Sequence, residues 1–214
     1  MPRSTSENRA IFDRWAETYS HEDARSGPLA GYEESILEAA AMLAIEKDAN
    51  ILDVGIGTGA FAGLFAARGA RICGIDISEK MMEQCHATHP HFVLSAGSFT
   101  SIPYPARHFD AVVSSFSFHH VPQEAWDEAL AEIARVLKPG GRFCLLDVMF
   151  LSAAAVLNAR AALDDEEDYP LVGDLDSHLR TTGFSWIRWR QTAPFHWAAV
   201  GTRAQGPEVV DETR

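Results

Sequence analysis

Two acidic residues and a run of glycines are the part of this sequence best suited to bind a ligand. Residues 51–61 read Ile-Leu-Asp-Val-Gly-Ile-Gly-Thr-Gly-Ala-Phe, which predicts a buried strand, a glycine turn and the start of a helix. Glycines let the backbone turn tightly and let a ligand lie against the N–H groups of the next helix. Asp76 follows Gly55 after about 20 positions, a separation that places an acid to hold a ribose diol. The pattern therefore predicts a site for a nucleoside-containing cofactor.

The residues around the glycines discriminate between cofactors. Gly55-x-Gly57-x-x-Ala60 satisfies the dinucleotide fingerprint, which accepts alanine in its third place, so a nicotinamide-dependent oxidoreductase is one alternative. Asp53 opposes this alternative, because a carboxylate there would repel a pyrophosphate and attract an α-ammonium group. The chain beyond the fifth predicted strand is also short for the substrate domain that a two-domain dehydrogenase needs.

Four segments resemble, in the same order, the motifs of the class I S-adenosylmethionine (SAM) methyltransferases. They are the glycine run at 53–59, the segment 74–82, the segment 109–121 and the turn at 137–142. The chain is similar in particular to the small-molecule branch, which includes quinone C-methyltransferases and uncharacterised bacterial methyltransferases. The resemblance implies an α/β fold: a Rossmann-like, seven-stranded, mostly parallel sheet with an antiparallel last strand, and helices on both faces. It also implies an enzyme that transfers the methyl group of SAM to a small-molecule acceptor by in-line displacement, leaving S-adenosylhomocysteine.

The resemblance also implies which residues bind SAM. Gly55 and Gly57 would present bare backbone to the methionine moiety, and Asp53 would act through main chain or a bridging water as much as directly. Asp76 would bind the ribose, with Ile77 as an adenine wall. The other candidates for cofactor contact are Tyr19, Met81, Ser98, Phe99, Ser114 and Ser115.

Two of these assignments have an alternative in the sequence itself. The family often carries Gly-Asp after the third strand, whereas this chain has Gly97-Ser98. A serine hydroxyl accepts a hydrogen bond more weakly than a carboxylate, so adenine recognition would rest more on Phe99 and main chain. Ser114 and Ser115 end the fourth predicted strand, where a carbonyl would meet the ammonium group. Alternatively, these serines only close the strand.

Adjacent histidines follow the fourth predicted strand and are the candidates for catalysis. His119 and His120 lie where the transferred methyl group is expected, and histidine is a suitable general base near neutral pH. The alternative is that one ring packs and caps the following helix. Neighbouring residues point apart and no third ligand is in view, so we expect no metal site. His86, His89 and His91 fit better as surface groups at a helix end.

Composition favours a small molecule over a nucleic acid as the methyl acceptor. The formal net charge is −12, so the chain has no evident basic surface that would displace counterions from a phosphate backbone. No apolar run approaches the roughly 20 residues that cross a bilayer, and the N-terminus lacks an apolar signal segment. Three cysteines without a C-x-x-C pair fit a reducing compartment. We therefore expect a cytoplasmic protein that binds neither membranes nor nucleic acids, and the oligomeric state is open.

Alternating strands and helices would position these residues. We predict helices at 7–19, 33–45, 59–68, 78–88, 151–163 and 174–182, and strands at 50–54, 70–75, 91–95, 110–115, 142–148, 184–191 and 195–203. Another helix opens at Pro122 and ends at the turn 139–141, with Trp126, Leu130, Ile133 and Leu137 in one buried stripe.

The chain is expected to form one domain of 214 residues. It divides into a helical cap (1–48), a SAM-binding core (49–150), a substrate-side segment with the closing strands (151–204) and a tail (205–214). The cap segment Phe12–Tyr19 resembles a family segment that folds over the cofactor, although a plain helix stripe explains its spacing equally well. The acidic run 164–168 is expected to be a solvated loop. A non-catalytic SAM-binding module that docks a protein through this cap is the third functional alternative.

Overall fold

The computed structural model describes residues 5–18, 29–163 and 169–205. Three predictions fall outside these residues: the contact of Tyr19, the acidic run 164–168, and the tail beyond Gln205. No helix in the described part of the chain is long and apolar enough to cross a membrane. The helices and strands are, in chain order, α1 (Thr5–Thr18), α2 (Tyr32–Met42), β1 (Asn50–Val54), α3 (Ala60–Ala66), β2 (Arg71–Asp76), α4 (Glu79–Thr88), β3 (Val93–Ala96), β4 (Phe109–Ser115), α5 (Trp126–Val136), β5 (Leu137–Val148), α6 (Ala153–Leu163), α7 (Val172–Thr181), β6 (Phe184–Gln191) and β7 (His196–Arg203).

The seven strands form one sheet in the order β3-β2-β1-β4-β5-β7-β6. The pairs from β3 to β5 are parallel, and β7 runs antiparallel to both of its neighbours. The predicted α/β fold with a reversed last strand is therefore confirmed. The strand order reverses between β1 and β4, and ligands of open α/β sheets bind beyond the carboxyl ends of the strands at such a point.

Both faces of the sheet are covered, which explains why most residues of its central strands are apolar. In β1, Leu52 and Val54 join the core under α5, whereas Ile51 joins the core under α2 and α3. Of the predicted stripe, Trp126, Leu130 and Ile133 lie on α5 and are buried in the first of these cores, whereas Leu137 belongs to β5. The helix itself starts at Trp126, after a 3₁₀ turn at Gln123–Ala125.

The predicted start of the fifth strand is wrong by five residues. Leu137 already has an extended backbone and pairs with Phe109, and its side chain is fully buried. The pairing then shifts register, so that Arg142 lies beside Ala111. Gly140 adopts a left-handed backbone within the bulge. The Pro-Gly-Gly segment is therefore an irregularity inside the strand and not the end of the preceding helix.

The prediction of one helical cap over residues 1–48 also needs a correction. Helix α2 packs on the sheet, where Ile36 and Ala39 share the core of β5 and β7 with Leu146 and Val200. It is a core helix because its small and apolar residues face the strands. Helix α1, by contrast, packs on α4. The division of the remaining chain into a cofactor core and a substrate-side segment stays a prediction.

Ser78 connects helix α1 to helix α4 and to the end of strand β2. Its hydroxyl accepts a hydrogen bond from the N–H of Met81 (3.1 Å) and thereby caps α4. The same hydroxyl donates to the carboxylate of Asp13 on α1 (2.6 Å). The side-chain amide of Gln84 donates to the carbonyl of Ala16, which ties the far end of α1 to α4. These polar contacts help to hold α1 on α4.

Replacing Ser78 with alanine removes the cap and the contact with Asp13, so we expect the free energy of unfolding to fall by about 0.5–2 kcal/mol. Urea denaturation measures the loss. Ser177 on α7 is the control, because its hydroxyl is exposed and donates only to the carbonyl of Gly173. Ser177→Ala should change stability by less than about 0.5 kcal/mol. Equal losses in the two variants would show that the Ser78 hydroxyl has no special role.

Candidate functional site

A cavity of about 860 Å³ lies at the carboxyl ends of the parallel strands, where the strand order reverses. Its volume is near the upper end of the roughly 300–1,000 Å³ range of small-molecule sites. Most of the residues predicted from the sequence line it: Gly55, Gly57, Asp76, Ile77, Met81, Ser98, Phe99, Ser115, His119 and His120. The fold thus brings together groups from four separate segments of the chain.

The glycine turn presents backbone to this cavity. Gly55 and Gly57 have φ values of 73° and 51°, a left-handed conformation that costs glycine little. A Cβ atom added at Gly57 would meet nothing within 4 Å, whereas one added at Gly55 would collide with Ser117. Gly57 therefore leaves open space for a ligand, and Gly55 allows the close approach of the loop after β4.

Asp76 ties the glycine turn to the end of β2. One carboxylate oxygen accepts a hydrogen bond from the N–H of Gly57 (2.9 Å), and the other accepts one from the N–H of Ser78 (2.8 Å). Burial raises the pKa of Asp76, while these N–H groups lower it. Each oxygen can accept a further bond, and Asp76 lines the cavity. A buried, oriented carboxylate of this kind suits the two hydroxyl groups of a ribose.

Asp53 and Ser114, by contrast, are buried and are not among the described residues that line the cavity. One carboxyl oxygen of Asp53 and the hydroxyl of Ser114 have no hydrogen-bond partner in the described part of the chain. Burial, together with the nearby Asp76, raises the pKa of Asp53 to about 8. Asp53 therefore keeps its proton at neutral pH. Its predicted effect on an ammonium group would have to pass through main chain or water.

His119 forms a close pair with a carboxylate that the sequence analysis did not identify. Its Nδ1 lies 2.5 Å from an oxygen of Asp147, and its backbone N–H donates to the other oxygen (3.1 Å). Asp147 is fully buried at the end of β5, while His119 lines the cavity. The carboxyl end of β5 adjoins that of β4, so the sheet itself brings Asp147 to the loop that carries His119.

The charge on Asp147 determines which nitrogen of His119 can act as a base. Burial raises the pKa of Asp147, but His119 and the N–H of Val148 outweigh this, so the pKa lies below its ordinary value. An ionised carboxylate can only accept hydrogen bonds, which assigns the hydrogen to Nδ1 of His119. The neutral ring then has its lone pair on Nε2, where it can take a proton. The ring of His120 lies against that of His119, with the centroids 3.8 Å apart.

Phe116 forms part of the cavity wall in a strained conformation. Its φ of 50° is left-handed, which costs a bulky residue about 1–3 kcal/mol. The ring contacts Tyr32 (5.1 Å between centroids) and His196 (4.6 Å). The buried His196 shares a hydrogen bond with Ser35 (2.8 Å). Packing against these residues from α2 and β7 compensates for the strain.

Helix α1 closes the cavity over the histidines. The ring of Phe12 packs edge-on against His120 with the centroids 4.9 Å apart. The side-chain amide of Asn8 donates to the backbone carbonyl of His120 (3.5 Å). The described part of the segment Phe12–Tyr19 thus lies over the histidines, and its contact with the cofactor stays a prediction. Several lining residues were not predicted as site residues: Asn8, Ile11, Arg14, Leu29, Tyr32, Thr58, Gly97, Thr100, Phe116, Ser117, Val148 and Tyr169.

Neither metal ligands nor reactive thiols are apparent at the site. In the ranges that the structure describes, no group of three or more His, Cys, Asp or Glu side chains is arranged to hold a metal ion. The cysteines are free, and burial, followed by the charges of Asp53 and Asp76, raises the pKa of Cys85 to about 12. The His86-His89-His91 segment does not line the cavity; His89 stacks on Phe92 instead.

The comparisons with known proteins agree with this geometry. Residues 52–145 match a family model described as a methyltransferase domain. An uncharacterised methyltransferase from Anoxybacillus flavithermus is 28% identical over 178 residues, covering 80% of this chain and 82% of the relative. A second one, from Alkaliphilus oremlandii, is 28% identical over 77% of this chain and 78% of its own length. The descriptions of these relatives name no methyl acceptor.

Solved structures with the same fold have lower identity. A SAM-dependent methyltransferase from Thermotoga maritima superposes with a TM-score of 0.70 at 20% identity, covering 91% of this chain and 99% of that chain. The [4+2]-cyclase SpnF superposes with a TM-score of 0.77 at 18% identity, covering 96% of this chain and 98% of its own. Similarity at this level establishes the fold, and the reaction has to be argued from the site.

Asp53→Asn tests the buried proton at the site. The pKa of Asp53, about 8, lies above its ordinary value of 3.8. At pH values between these two, Asp53 keeps a proton in the folded protein that it loses in the unfolded chain. The free energy of unfolding of the wild type therefore falls as pH rises through this window, by up to about 1.4 kcal/mol per pH unit. Asparagine has no such proton, so the slope for the variant should be shallower.

Urea titrations from about pH 5 to about pH 8 measure this slope. Asp174→Asn is the control, because this exposed acid on α7 lies away from the cavity, and its slope should match that of the wild type. If the slope of Asp53→Asn also matched, Asp53 would not be protonated in the folded protein.

Proposed function

We propose that this chain, which is a SAM-dependent methyltransferase by its domain and its relatives, methylates a small molecule with His119 as the general base. The observation that carries the proposal is the position of the His119–Asp147 pair. Its imidazole lines the same cavity as the glycine turn and Asp76. A cofactor site and a base in one cavity are what transfer to a protonated acceptor requires.

The cavity residues fit SAM, which supplies a methyl group already activated by its positively charged sulfur. Gly57 would leave room for the methionine moiety against its backbone, and Asp76 would accept hydrogen bonds from the ribose. Ile77 and Phe99 offer apolar surface for adenine, with the Ser98 hydroxyl as a polar partner. The remaining cofactor candidates on the cavity wall are Gly55, Met81 and Ser115.

His119 would remove the proton that the acceptor loses when it takes the methyl group. Nδ1 is held by Asp147, so the proton would be taken up at Nε2. The imidazolium then pairs with a carboxylate that is already ionised and buried, which stabilises the new charge. General base catalysis typically contributes a factor of about 10²–10⁴. Alignment of the two reactants contributes more, because it can remove roughly 7–11 kcal/mol from a barrier.

Enclosure of the site supports a small acceptor. Helix α1 lies over the histidines through Phe12 and Asn8, and the acceptor must fit into the part of the cavity that the cofactor leaves. The net charge of −12 argues against a nucleic acid. We also propose a cytoplasmic location, which the free cysteines support.

Asp76→Ala should weaken the binding of S-adenosylhomocysteine by about tenfold or more, because a hydrogen bond to a charged group contributes about 1.5–3 kcal/mol. Isothermal titration calorimetry measures the dissociation constant. Asp174→Ala, an exposed acid outside the cavity, is the control and should bind like the wild type. Unchanged affinity in a folded Asp76→Ala protein would contradict the assignment of the ribose site.

Asp147→Asn and His119→Gln test the base. Each should lower kcat for methyl transfer by about 10²–10⁴-fold, because asparagine no longer fixes the tautomer of His119 and glutamine is not basic. The affinity for S-adenosylhomocysteine should stay within about twofold of the wild type in both variants, since neither residue is assigned to the cofactor.

The pH profile separates catalysis from a structural role. The kcat of the wild type should fall on acidification as the imidazole becomes protonated, whereas the residual kcat of His119→Gln should lack this acid limb. A folded His119→Gln protein with wild-type kcat, or with the same acid limb, would exclude His119 as the base.

A further inference from the structure

The part of the cavity near His119 has an aromatic lining. Besides the two histidines, the rings of Phe12, Tyr32, Phe116 and Tyr169 line it. They come from α1, α2, the loop after β4 and the segment before α7, so four separate parts of the chain each contribute a ring. This lining lies beyond the residues assigned to the cofactor and is available to shape the acceptor.

Several of these rings form a continuous row across the cavity. Phe12 contacts His120, His120 contacts His119, and His119 contacts Tyr169, with centroid distances of 4.9, 3.8 and 5.7 Å. Ring pairs at such distances are favourable in tilted and edge-on arrangements. The base is thus one member of a row of rings, and an acceptor that reaches it must lie against aromatic surface.

Phe116 is the most firmly placed of the remaining rings. Its left-handed backbone is unusual for a bulky residue, and contacts with Tyr32 and His196 hold its side chain. A smaller or more flexible residue would satisfy the turn with less strain. Strain that is retained at a ligand cavity points to a use for the ring itself.

The charges around the cavity disfavour an anionic acceptor. Among the described residues that line it, the side chains with a permanent charge are Arg14, Asp76 and Glu128. Arg14 and Glu128 are exposed at its edge, and Asp76 is assigned to the ribose. No lysine contributes to the described lining, so an anionic acceptor would find little compensation for losing water.

The presence of a base restricts the acceptor group. A neutral amine already carries a nucleophilic lone pair, and a thiol with a pKa of about 8.5 ionises readily without help. An aliphatic alcohol is a much weaker acid than a phenol, so its proton is harder for an imidazole to remove. A phenolic hydroxyl, with a pKa of about 10, has a proton that a histidine can remove as the new bond forms.

Resting on the function proposed above, we propose that the methyl acceptor is an uncharged, flat aromatic compound that carries a phenolic hydroxyl. Its O–H bond breaks and the proton goes to Nε2 of His119. Its oxygen forms a bond to the methyl carbon, and the carbon–sulfur bond breaks with the electron pair going to sulfur. The products are an aryl methyl ether and S-adenosylhomocysteine, and His119 then releases the proton to water.

Binding of three matched probes tests the proposal. β-Naphthol is flat and phenolic, β-decalol has a similar size without aromatic rings, and β-naphthoate is flat but anionic. Each is titrated calorimetrically into the whole protein saturated with S-adenosylhomocysteine, so that no turnover occurs. We expect β-naphthol to bind about tenfold more tightly than the other two, and to be converted to its methyl ether when SAM replaces the product.

Variants link the preference to the ring lining. Phe116→Leu and Tyr169→Leu keep apolar bulk but remove a ring, so each should lower the preference for β-naphthol over β-decalol by about threefold or more. Trp186→Leu removes an exposed ring on β6, outside the cavity, and should leave the preference unchanged. Having two ring variants allows for the case in which one of them does not fold.

The outcomes separate this proposal from the one on which it rests. Equal binding of the three probes, or no binding of β-naphthol while S-adenosylhomocysteine binds, would overturn the aromatic acceptor and leave the methyltransferase assignment intact. No binding of S-adenosylhomocysteine would overturn both. Ring variants that keep the wild-type preference would also overturn the proposal, because the preference would then not come from this lining.

Discussion

The hydrogen bonds that Asp76 accepts are the interaction on which the rest of the site depends. Its carboxylate accepts hydrogen bonds from the N–H of Gly57 in the glycine turn and from the N–H of Ser78 at the start of α4. These bonds offset part of the effect of burial, which still leaves the pKa of Asp76 raised, and they fix three elements relative to one another. Ser78 in turn holds Asp13 on α1. The same group that orients the carboxylate therefore also positions the helix that covers the cavity.

The sheet provides the second constraint. Because β4 and β5 are adjacent and parallel, the loop that carries His119 meets the end of the strand that carries Asp147. The pair consists of one residue that reaches the cavity and one that is fully buried. Such a pair is costly to bury unless each partner satisfies the other, and here the backbone N–H groups of His119 and Val148 complete the set of hydrogen bonds. The carboxylate therefore stays ionised and keeps the imidazole in one orientation.

The fold could be predicted from the sequence, and the candidates for cofactor binding could be picked out, because both depend on local signals. Glycines with left-handed φ values, the Ser78 cap and the acid after β2 can each be recognised within a few residues. The acceptor side could not be predicted in this way, because Tyr32, Phe116 and Tyr169 meet only in the folded chain. Asp147 could not be recognised from the sequence, because its partner His119 is close only when β4 pairs with β5. The spacing of Asp53 from the glycines predicted that it lies near the ligand, but Asp53 is buried and is not among the described residues that line the cavity.

A crystal structure of the protein with S-adenosylhomocysteine would test the central claim most directly. The account predicts that the ribose hydroxyl groups donate to Asp76, that the methionine moiety lies against Gly57, and that the sulfur faces the ring row containing His119. The remaining volume, next to Phe116 and Tyr169, should be open for an acceptor. A ribose bound away from Asp76, or a sulfur directed away from His119, would contradict the account.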